Sequence, residues 1–455
     1  MISKFINREE ELKYLELEWR NTPSLVIIYG IRRIGKTRLI EKFIEGKPAF
    51  KYTFPDANKK IQLNEFKEKM SRYFNEPLIL KIETDSWHDI LSLLSDKITG
   101  KTCIVLDEFT YAIKSDGKIV SDIQRVWDEK LSKKNVMLIL CGSLLGLMKK
   151  KVLSKTSPLY GRRTRDLLIQ ELSFLDSTKF FRNFNYAVEA YLLVGGIPEY
   201  LLVARKHSTI KQLVEQEFLN RNGYFYREPY FLLFQQVKEF KTYFSILQAI
   251  AFGNTKPTEI ANFTGMETRK IFPYLETLME IGVIKRETPV IGKEKRGVYK
   301  LKNKAVNTWF NIVYKNREEI ERGTAIFNQN QVNTLLGREF EEACIELVGK
   351  NLQLPFKPEK TGRWWLKDLE IDVVALNQKE RKIAFIEVKW KEVNEKEALK
   401  ILRDLEEKAK KVSWNLNNRK EYYGIITKRA SSSTKEKLVE KEYLIWDLKD
   451  IKKLR

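Results

Sequence analysis

The sequence predicts a multidomain α/β protein, and three observations lead to this fold class. The first third alternates short apolar runs with helical patterns, as parallel sheets covered by helices do. The middle is mainly helical, and the last third returns to apolar strands. At 455 residues the chain is also too long for a single core. We expect four domains, at residues 1–168, 169–238, 239–325 and 326–455.

Composition excludes several classes of protein. Hydrophobic residues make up 43% and charged residues 32% of the chain, which is typical of a soluble globular protein. No apolar run approaches the roughly 20 residues that a membrane span needs, and the N-terminal residues lack the apolar region of a secretory signal. We therefore expect a cytoplasmic protein without membrane partners.

Cysteine and histidine are too sparse for several kinds of site. The chain has three cysteines, none in a CxxC pair, and two distant histidines. The cysteines read as small buried hydrophobic residues. A zinc site, a disulfide framework and a Ser-His-Asp triad are therefore not expected.

The charge balance is strongly basic. Lysine and arginine number 83 against 61 acidic residues, a formal charge of +22. Such a charge favours a polyanionic partner, nucleic acid before membrane, through counterion release and steering. A lysine- and glutamate-rich thermophile surface would explain the same composition.

The N-terminal part contains a strand, a glycine-rich loop and a helix in direct succession. Residues 25–29 are a β-branched apolar run that predicts a buried parallel strand, and residues 38–43 have a helical pattern. Between them lies GIRRIGKT, residues 30–37, a complete GxxxxGKT phosphate-binding loop in its expected context. We expect Lys36 to reach the β- and γ-phosphates and Thr37 to ligate Mg²⁺.

Polar residues follow two further predicted strands. Asp107 and Glu108 end the strand at residues 103–106, and Ser143 follows the strand at residues 136–141. Ligands of such sheets bind at the carboxyl ends of the strands. We expect Asp107 to hold Mg²⁺ and Glu108 to orient or deprotonate the attacking water. Ser143 either senses the γ-phosphate or caps the following helix.

A basic segment follows these strands. Arg162, Arg163 and Arg165 lie within four positions, and Arg162 and Arg163 are candidates for an arginine finger that stabilises transition-state charge. The alternative interpretations of this segment are that its arginines are ordinary surface charges or that they contact nucleic acid.

These segments together resemble the archaeal DEXX-box ATPases, a family of the AAA+/STAND group of P-loop ATPases. The resemblance rests on FINREEEL at residue 5, YGIRRIGKT, LDEF, CGS and YGRR. It implies ATP and Mg²⁺ as cofactors and hydrolysis of ATP. It also implies that the segment at residues 5–8 and Pro198, in GGIP, lie beside the adenine. The expected nucleotide-binding residues are Phe5, Ile6, Arg8, Gly30, Ile31, Arg32, Arg33, Ile34, Gly35, Lys36, Thr37, Arg38, Asp107, Ser143 and Pro198.

The middle of the chain predicts two further modules. Residues 170–237 read as an α-helical lid whose aromatic residues form its core. Residues 240–302 resemble a winged helix-turn-helix, although Pro273 falls inside the second helix. The exposed residues expected on that helix are Glu267, Thr268, Arg269, Lys270 and Tyr274. The wing carries the basic residues Lys285, Arg286, Lys293, Lys295, Arg296 and Lys300 against Glu287 and Glu294. DNA contact and a packing or oligomerisation role both remain open for this module.

The C-terminal part places carboxylates and a lysine on neighbouring strands. Asp372 lies in one predicted strand, and Glu387 and Lys389 share a face of the next. Two carboxylates that ligate Mg²⁺, with a lysine that helps to activate water, can cleave phosphodiesters. The arrangement resembles the PD-(D/E)xK nucleases, which implies a nuclease-like domain with Glu341 as a further, helical carboxylate. A solvated strand face and a fold that no longer cuts are the alternatives.

Two main functions follow from the sequence, beside a further interpretation of the chain as a metal-dependent nuclease gated by ATP. The first is a DNA-associated ATPase, in which ATP controls how the winged helix and the nuclease-like domain are presented. The second is a STAND-like regulatory switch that acts through a protein partner or self-association, with a C-terminal domain that cuts nothing. A homo-oligomer is compatible with either, because an arginine finger can act between subunits.

Overall fold

The computed structural model describes residues 5–234, 237, 239–292 and 297–455. It divides into two compact units, Met1–Glu171 and Leu172–Arg455. Each unit has its own sheet. No helix in the described ranges is both long and apolar enough to cross a lipid bilayer.

The first unit alternates strands and helices. Its strands are β1 (Ser24–Tyr29), β2 (Ala49–Thr53), β3 (Thr102–Asp107), β4 (Val136–Gly142) and β5 (Arg165–Leu168). Its helices are α1 (Glu9–Arg20), α2 (Lys36–Ile44), α3 (Lys59–Phe74), α4 (Trp87–Lys97), α5 (Phe109–Ser115), α6 (Ile119–Glu129) and α7 (Leu145–Met148).

The sheet of the first unit is parallel throughout, in the order β2-β3-β4-β1-β5. Every residue of β1, β3 and β4 is buried, which explains why their sequences are apolar runs rather than alternating patterns. Strand β4 lies between β1 and β3. The carboxyl ends of these three strands therefore stand side by side, with the end of β4 in the middle.

The second unit begins with helices. They are α8 (Phe174–Thr178), α9 (Phe184–Val194), α10 (Pro198–Ala204), α11 (Ile210–Leu213) and α12 (Tyr224–Phe234). The aromatic residues predicted to form a core here are all buried: Phe174, Phe180, Phe181, Phe184, Tyr186, Tyr191 and Tyr200. That prediction is confirmed.

Three helices and a two-stranded ribbon come next. They are α13 (Phe240–Ala251), α14 (Pro257–Thr264), α15 (Thr268–Glu280), β6 (Ile284–Glu287) and β7 (Val298–Leu301). The two strands pair antiparallel. Pro273 lies inside α15, and Gly265 ends α14 in the left-handed conformation with φ 68°.

The C-terminal part contains the second sheet. The elements are α16 (Lys304–Thr308), α17 (Arg317–Arg322), α18 (Gln329–Lys350), β8 (Lys360–Leu366), β9 (Leu369–Asn377), β10 (Lys382–Glu392), α19 (Glu395–Ala409), β11 (Lys420–Arg429), α20 (Ser432–Glu440), β12 (Leu444–Asp447) and α21 (Leu448–Lys453). The order is β12-β11-β10-β9-β8. Pairs β8/β9 and β9/β10 are antiparallel, whereas β10/β11 and β11/β12 are parallel.

Helix α18 begins at Gln329, within the polar stretch at residues 328–331. The side chain of Asn328 accepts a hydrogen bond from the backbone N–H of Gln331, which caps the helix. The polar side chain of Asn328 therefore marks the start of α18.

Candidate functional site

The glycine-rich loop joins β1 to α2, as predicted. A Cβ on Gly30 would lie 2.6 Å from the carbonyl oxygen of Ile169, so only glycine fits where the chain leaves β1. Gly35 has φ 91° and precedes the first residue of α2, a conformation that glycine adopts without strain. The loop therefore presents its backbone at the N-terminus of α2, where anions bind.

Lys36 is the buried cation of this loop. Its Nζ donates hydrogen bonds of 2.9 Å to the carbonyl oxygens of Gly30 and Ile31, and the residue is 5% exposed. Burial lowers the pKa of Lys36, opposed by the acidic groups nearby and reinforced by the positive charge of Arg32. The ammonium is thus held within the loop by the loop's own backbone.

Thr37 and Asp107 are hydrogen-bonded to each other at the carboxyl end of the sheet. The Thr37 hydroxyl donates a 2.9 Å hydrogen bond to Oδ2 of Asp107, which is the last residue of β3 and 1% exposed. The other carboxylate oxygen of Asp107 accepts a 2.9 Å hydrogen bond from the backbone N–H of Glu108. The structure therefore brings the predicted Mg²⁺ ligands of the loop and of β3 to one place.

Glu108 and Ser143 form a second pair beside the first. Glu108 has φ 50°, and Oγ of Ser143 donates a 2.6 Å hydrogen bond to its Oε2. The N-cap of α7 is Leu144 and lacks a side-chain cap, so Ser143 does not cap that helix. Because β4 lies between β1 and β3, Ser143 stands between the loop and the acidic pair.

Arg8 ties the N-terminal segment to the loop. It has φ 82° at the start of α1, and its guanidinium donates to the carbonyl oxygens of Gln170 at 2.6 Å and Ile34 at 3.4 Å. Glu11 pairs with it at 2.9 Å. Phe5 and Ile6 lie half-buried before it. Pro198 is the first residue of α10 and belongs to the second unit.

The remaining arginines of the loop differ in environment. Arg32 is half-buried and donates to the hydroxyl of Tyr111. Arg33 takes a left-handed conformation with φ 65°. Arg38 lies on α2 with a 72% exposed side chain, 3.7 Å from Glu41.

The two finger candidates are held by groups of their own region. The guanidinium of Arg162 pairs with both carboxylate oxygens of Asp128 at 2.8–2.9 Å. Arg163 donates to the carbonyl oxygen of Leu153 at 2.9 Å and lies 3.4 Å from Asp166. In this arrangement neither guanidinium is available to a nucleotide without first breaking those contacts.

The C-terminal sheet brings three of its predicted residues together. Strands β9 and β10 pair with Val373 opposite Ile386, and the same register places Asp372 opposite Glu387. Lys389 Nζ lies 2.7 Å from Glu387 and 3.5 Å from Asp372. Burial, together with the negative charges of Glu387 and Glu341, raises the pKa of Asp372 to about 7.

Each carboxylate of this cluster also has a basic or backbone partner. Lys408 Nζ donates a 2.7 Å hydrogen bond to the second oxygen of Glu387, and Arg363 donates a 2.8 Å hydrogen bond to Glu341. Asp372 accepts a 2.8 Å hydrogen bond from the backbone N–H of Val388. Burial raises the pKa of Glu341.

The carboxylates of this cluster already have hydrogen-bond partners within the protein. In the part of the chain that the structure describes, no three acidic, cysteine or histidine side chains converge on one cation position. The oxygen ligands suit a hard divalent cation by type. The oxygens of Glu387 and Glu341, however, face ammonium and guanidinium groups.

Helix α15 and the ribbon carry the residues proposed for DNA contact. Glu267, Arg269 and Lys270 are exposed, Thr268 is half-buried, and Lys270 pairs with Glu267 at 2.9 Å. The Tyr274 hydroxyl donates a 2.7 Å hydrogen bond to Glu239. Lys293, Glu294, Lys295 and Arg296 lie outside the described residues.

The described basic residues of the ribbon point in different directions. Lys285 and Lys300 both pair with Glu342 of α18, the latter at 2.9 Å, and Lys300 also pairs with Glu287 at 2.7 Å. Arg286 is exposed on β6. The expected phosphate contacts of Lys285 and Lys300 would therefore require these ion pairs to break.

Sequence reasoning missed three residues of these sites. Tyr111 holds Arg32, Lys408 holds Glu387, and Arg363 joins Glu341 with Glu370 and Glu342. Arg363, a charged residue directly before Trp364 and Trp365 in β8, is the local signal among these three. The other two lie on ordinary amphipathic helices.

Comparison with protein families finds two regions. An ATPase domain predominantly from Archaea matches residues 5–203. A region of archaeal and bacterial proteins of unknown function matches residues 309–401.

Comparison with individual proteins agrees with the first region. An uncharacterized ATP-binding protein of Methanocaldococcus jannaschii is 55% identical over 47 residues, 10% of this chain and 80% of that protein. Among solved structures, a Walker-type ATPase of Pyrococcus abyssi superposes with a TM-score of 0.50 at 23% identity, covering 68% of this chain and 96% of that one. That similarity supports the P-loop fold.

A further relative covers nearly the whole chain. It is an uncharacterized protein of Methanocaldococcus jannaschii, 36% identical over 458 residues, which are 98% of this chain and 99% of that protein. The chain therefore belongs to the same family as this relative, and its first part is an archaeal-type P-loop ATPase domain that binds ATP.

Proposed function

We propose that the chain is a Mg²⁺-dependent ATPase that associates with DNA. Two hydrogen bonds support the proposed ATP hydrolysis: one from Thr37 to Asp107 and one from Ser143 to Glu108. These contacts join the phosphate-binding loop with two groups at the ends of neighbouring strands.

Thr37 and Asp107 fit Mg²⁺ by ligand type. A hydroxyl and a carboxylate oxygen 2.9 Å apart are hard oxygen donors on one side of the loop, which suits a cation that keeps several waters. When bound, Mg²⁺ would neutralise phosphate charge. Lys36, released from the carbonyls of Gly30 and Ile31, would pair with the β- and γ-phosphates.

Glu108 is the residue proposed to act on water. The water oxygen forms a bond to the γ-phosphorus while the bond from that phosphorus to the bridging oxygen of ADP breaks. Glu108 accepts one proton from the water and passes it to the released phosphate or to solvent, so ADP and inorganic phosphate leave. The hydrogen bond from Ser143 sets the direction of the carboxylate.

The test uses two substitutions with different expected signatures. Lys36→Ala should weaken ATP binding and abolish turnover. Glu108→Gln should retain ATP binding while turnover falls by about 10²-fold or more. Binding is measured with a fluorescent ATP analogue and turnover by phosphate release. Normal turnover in both variants would contradict the site.

DNA association is proposed from charge and exposure. The chain carries a net charge of +22, and the start of α15 exposes Arg269 and Lys270 on one side of the three-helix and ribbon module. Such a helix in a winged helix-turn-helix contacts phosphates and base edges in the major groove. Pro273 lies one turn later, so the contact would come from the helix start.

The experiment separates specific contact from general charge. Arg269→Ala and Lys270→Ala should each lower the salt dependence of duplex binding by about one phosphate contact. Lys211→Ala is the matched control, because Lys211 is a 65% exposed lysine on α11. Equal losses in all three variants would assign binding to the overall charge, and absence of binding at low salt would remove the DNA proposal.

The C-terminal domain is proposed to be nuclease-like without cutting. Lys389 and Lys408 together engage both oxygens of Glu387, and Arg363 engages Glu341. These buried carboxylates therefore already have positively charged partners within the protein. The domain would then help to present the DNA-facing module when ATP binds, and it would not cleave DNA strands.

Cleavage is tested directly. Full-length protein is incubated with single- and double-stranded DNA in Mg²⁺ or Mn²⁺, beside Asp372→Ala and Lys389→Ala. Lys410→Ala is the control, since Lys410 is an exposed lysine at the end of α19 that pairs with Glu407. Cutting by the wild type and by the Lys410 variant that disappears in the first two variants would establish a nuclease and overturn the proposal.

A STAND-like switch is the second function that the residues allow. Slow turnover that DNA does not change, with self-association that depends on ATP, would favour it over the DNA-associated reading. Sedimentation with ATP, ADP and no nucleotide distinguishes the two.

A further inference from the structure

The known chemistry of P-loop ATPases calls for a positive charge at the γ-phosphate besides the loop lysine. An arginine in this role, from the same chain or from a partner, raises hydrolysis rates strongly because charge accumulates on the phosphate oxygens in the transition state. Arg162 and Arg163 are bound to Asp128, Asp166 and the carbonyl oxygen of Leu153. The loop itself carries a further arginine, Arg32.

Arg32 differs from those two arginines in its partners. It is half-buried in the loop, and its guanidinium donates to the Tyr111 hydroxyl and lies 5.7 Å from the centre of the Tyr111 ring. Among the described residues it forms no ion pair with a carboxylate. A guanidinium that is withdrawn from solvent without a carboxylate is a binding group for an external anion.

Arg32 and Lys36 are cations of the same loop, four positions apart in the sequence. Two cations at one loop repel each other, and a phosphate group between them relieves this repulsion. Arg32, Arg33 and Lys36 thus give the phosphate-binding loop three positive charges.

Tyr111 links the position of Arg32 to that of Glu108, the proposed catalytic carboxylate. Tyr111 follows Glu108 by three residues, and its backbone N–H donates a 2.9 Å hydrogen bond to the carbonyl oxygen of Glu108 in the first turn of α5. The hydroxyl of the same residue holds Arg32. The arginine and the proposed base are therefore oriented by one short helical turn.

We propose that Arg32 is the arginine that stabilises the γ-phosphate during hydrolysis, supplied by the loop of the same chain, with Tyr111 as its positioning residue. This inference rests on the proposed hydrolysis of ATP. It removes the need for a second subunit to complete the site.

The test compares Arg32→Ala, Arg32→Lys and Tyr111→Phe with the wild type. Arg72→Ala is the matched control, because Arg72 is an arginine on α3 with a 75% exposed side chain, 3.7 Å from Glu68 of the same helix. Arg32→Ala should lower kcat by about 10³-fold, with KM for ATP and ADP affinity changed only a few fold. Arg32→Lys should recover part of kcat, and Tyr111→Phe should lower kcat about 10-fold.

Trapping of a transition-state analogue is a measurement that would not change if Arg32 had only a structural role. The wild type and Arg72→Ala should trap MgADP with aluminium fluoride, whereas Arg32→Ala should bind MgADP and fail to trap it. Specific activity of the wild type should not change with protein concentration, because the arginine acts within one chain.

The outcomes separate the inference from the proposed function. No hydrolysis by the wild type overturns the proposed function itself. Hydrolysis by the wild type with unchanged kcat and trapping in Arg32→Ala overturns only the inference. Loss of kcat in Arg162→Ala or Arg163→Ala, restored by mixing with a Lys36→Ala chain, would assign the role to an arginine from a partner subunit instead.

Discussion

The Thr37 hydroxyl donates a 2.9 Å hydrogen bond to the carboxylate of Asp107. Thr37 is the second residue of α2 and Asp107 the last of β3, and β4 lies between β1 and β3 in the sheet. This contact therefore shows that the end of the loop lies beside the acidic residue at the end of β3. It also places two oxygen ligands where a divalent cation would need them.

Substitutions at Thr37 should separate the hydroxyl from the shape of the residue. Thr37→Val keeps the branched side chain but loses the oxygen, so ATP turnover should fall by about 10²-fold and need more Mg²⁺. Thr37→Ser keeps the oxygen and should stay within a few fold of the wild type. Turnover is measured by phosphate release across a Mg²⁺ titration; equal Mg²⁺ dependence in both variants would argue against ligation by Thr37.

Ser143 should act through the direction of the Glu108 carboxylate. Ser143→Ala removes the 2.6 Å hydrogen bond and leaves Glu108 free to rotate, so kcat should fall about 3- to 10-fold with KM for ATP unchanged. Ser143→Thr keeps a hydroxyl and should recover most of kcat. A rise in KM without a change in kcat would instead indicate that Ser143 contacts the nucleotide directly.

Local patterns in the sequence were enough to predict where the glycine-rich loop and Asp107 lie in the fold. The loop at residues 30–37 lies between β1 and α2, and Asp107 ends β3, as expected. Both depend on short-range features, namely apolar runs, glycines and strand ends. The buried aromatic residues of α8, α9 and α10 were predictable for the same reason.

The partners of these residues were not predictable, because they depend on which strands become neighbours. Nothing in the sequence places β4 between β1 and β3, so the Ser143–Glu108 contact emerges only from the fold. Arg363 likewise reads as an isolated charge in β8. Its four carboxylate neighbours come from β6, α18 and β9.

Gly30 should be required for the fold of the first unit as well as for phosphate binding. A Cβ at this position would stand 2.6 Å from the carbonyl oxygen of Ile169, whose backbone N–H is bonded to Tyr29 at 2.8 Å. That backbone cannot shift without loss of the pairing, so Gly30→Ala should destabilise the protein by about 1–3 kcal/mol. Gly100→Ala is the control, since nothing lies within 4 Å of its added carbon. Chemical denaturation of the two variants should give clearly different midpoints; equal midpoints would contradict the crowding at Gly30.

Asp372 should make the stability of the second unit depend on pH. Its pKa is raised to about 7 in the folded chain, against about 3.9 in an unfolded one. Between those values the folded state binds more protons than the unfolded state, so stability falls as pH rises through this window and reaches its lower level above pH about 7.

Asp372→Asn isolates this effect because asparagine stays neutral at every pH. From pH 5.5 to 8 the wild type should lose of the order of 2 kcal/mol of unfolding free energy relative to Asp372→Asn. Asp368→Asn, an exposed aspartate between β8 and β9, should follow the wild type. The free energy is measured by denaturant unfolding at each pH. Parallel curves for the wild type and Asp372→Asn would mean that Lys389, 3.5 Å away, keeps Asp372 ionised throughout, and that the burial of this carboxylate is fully compensated.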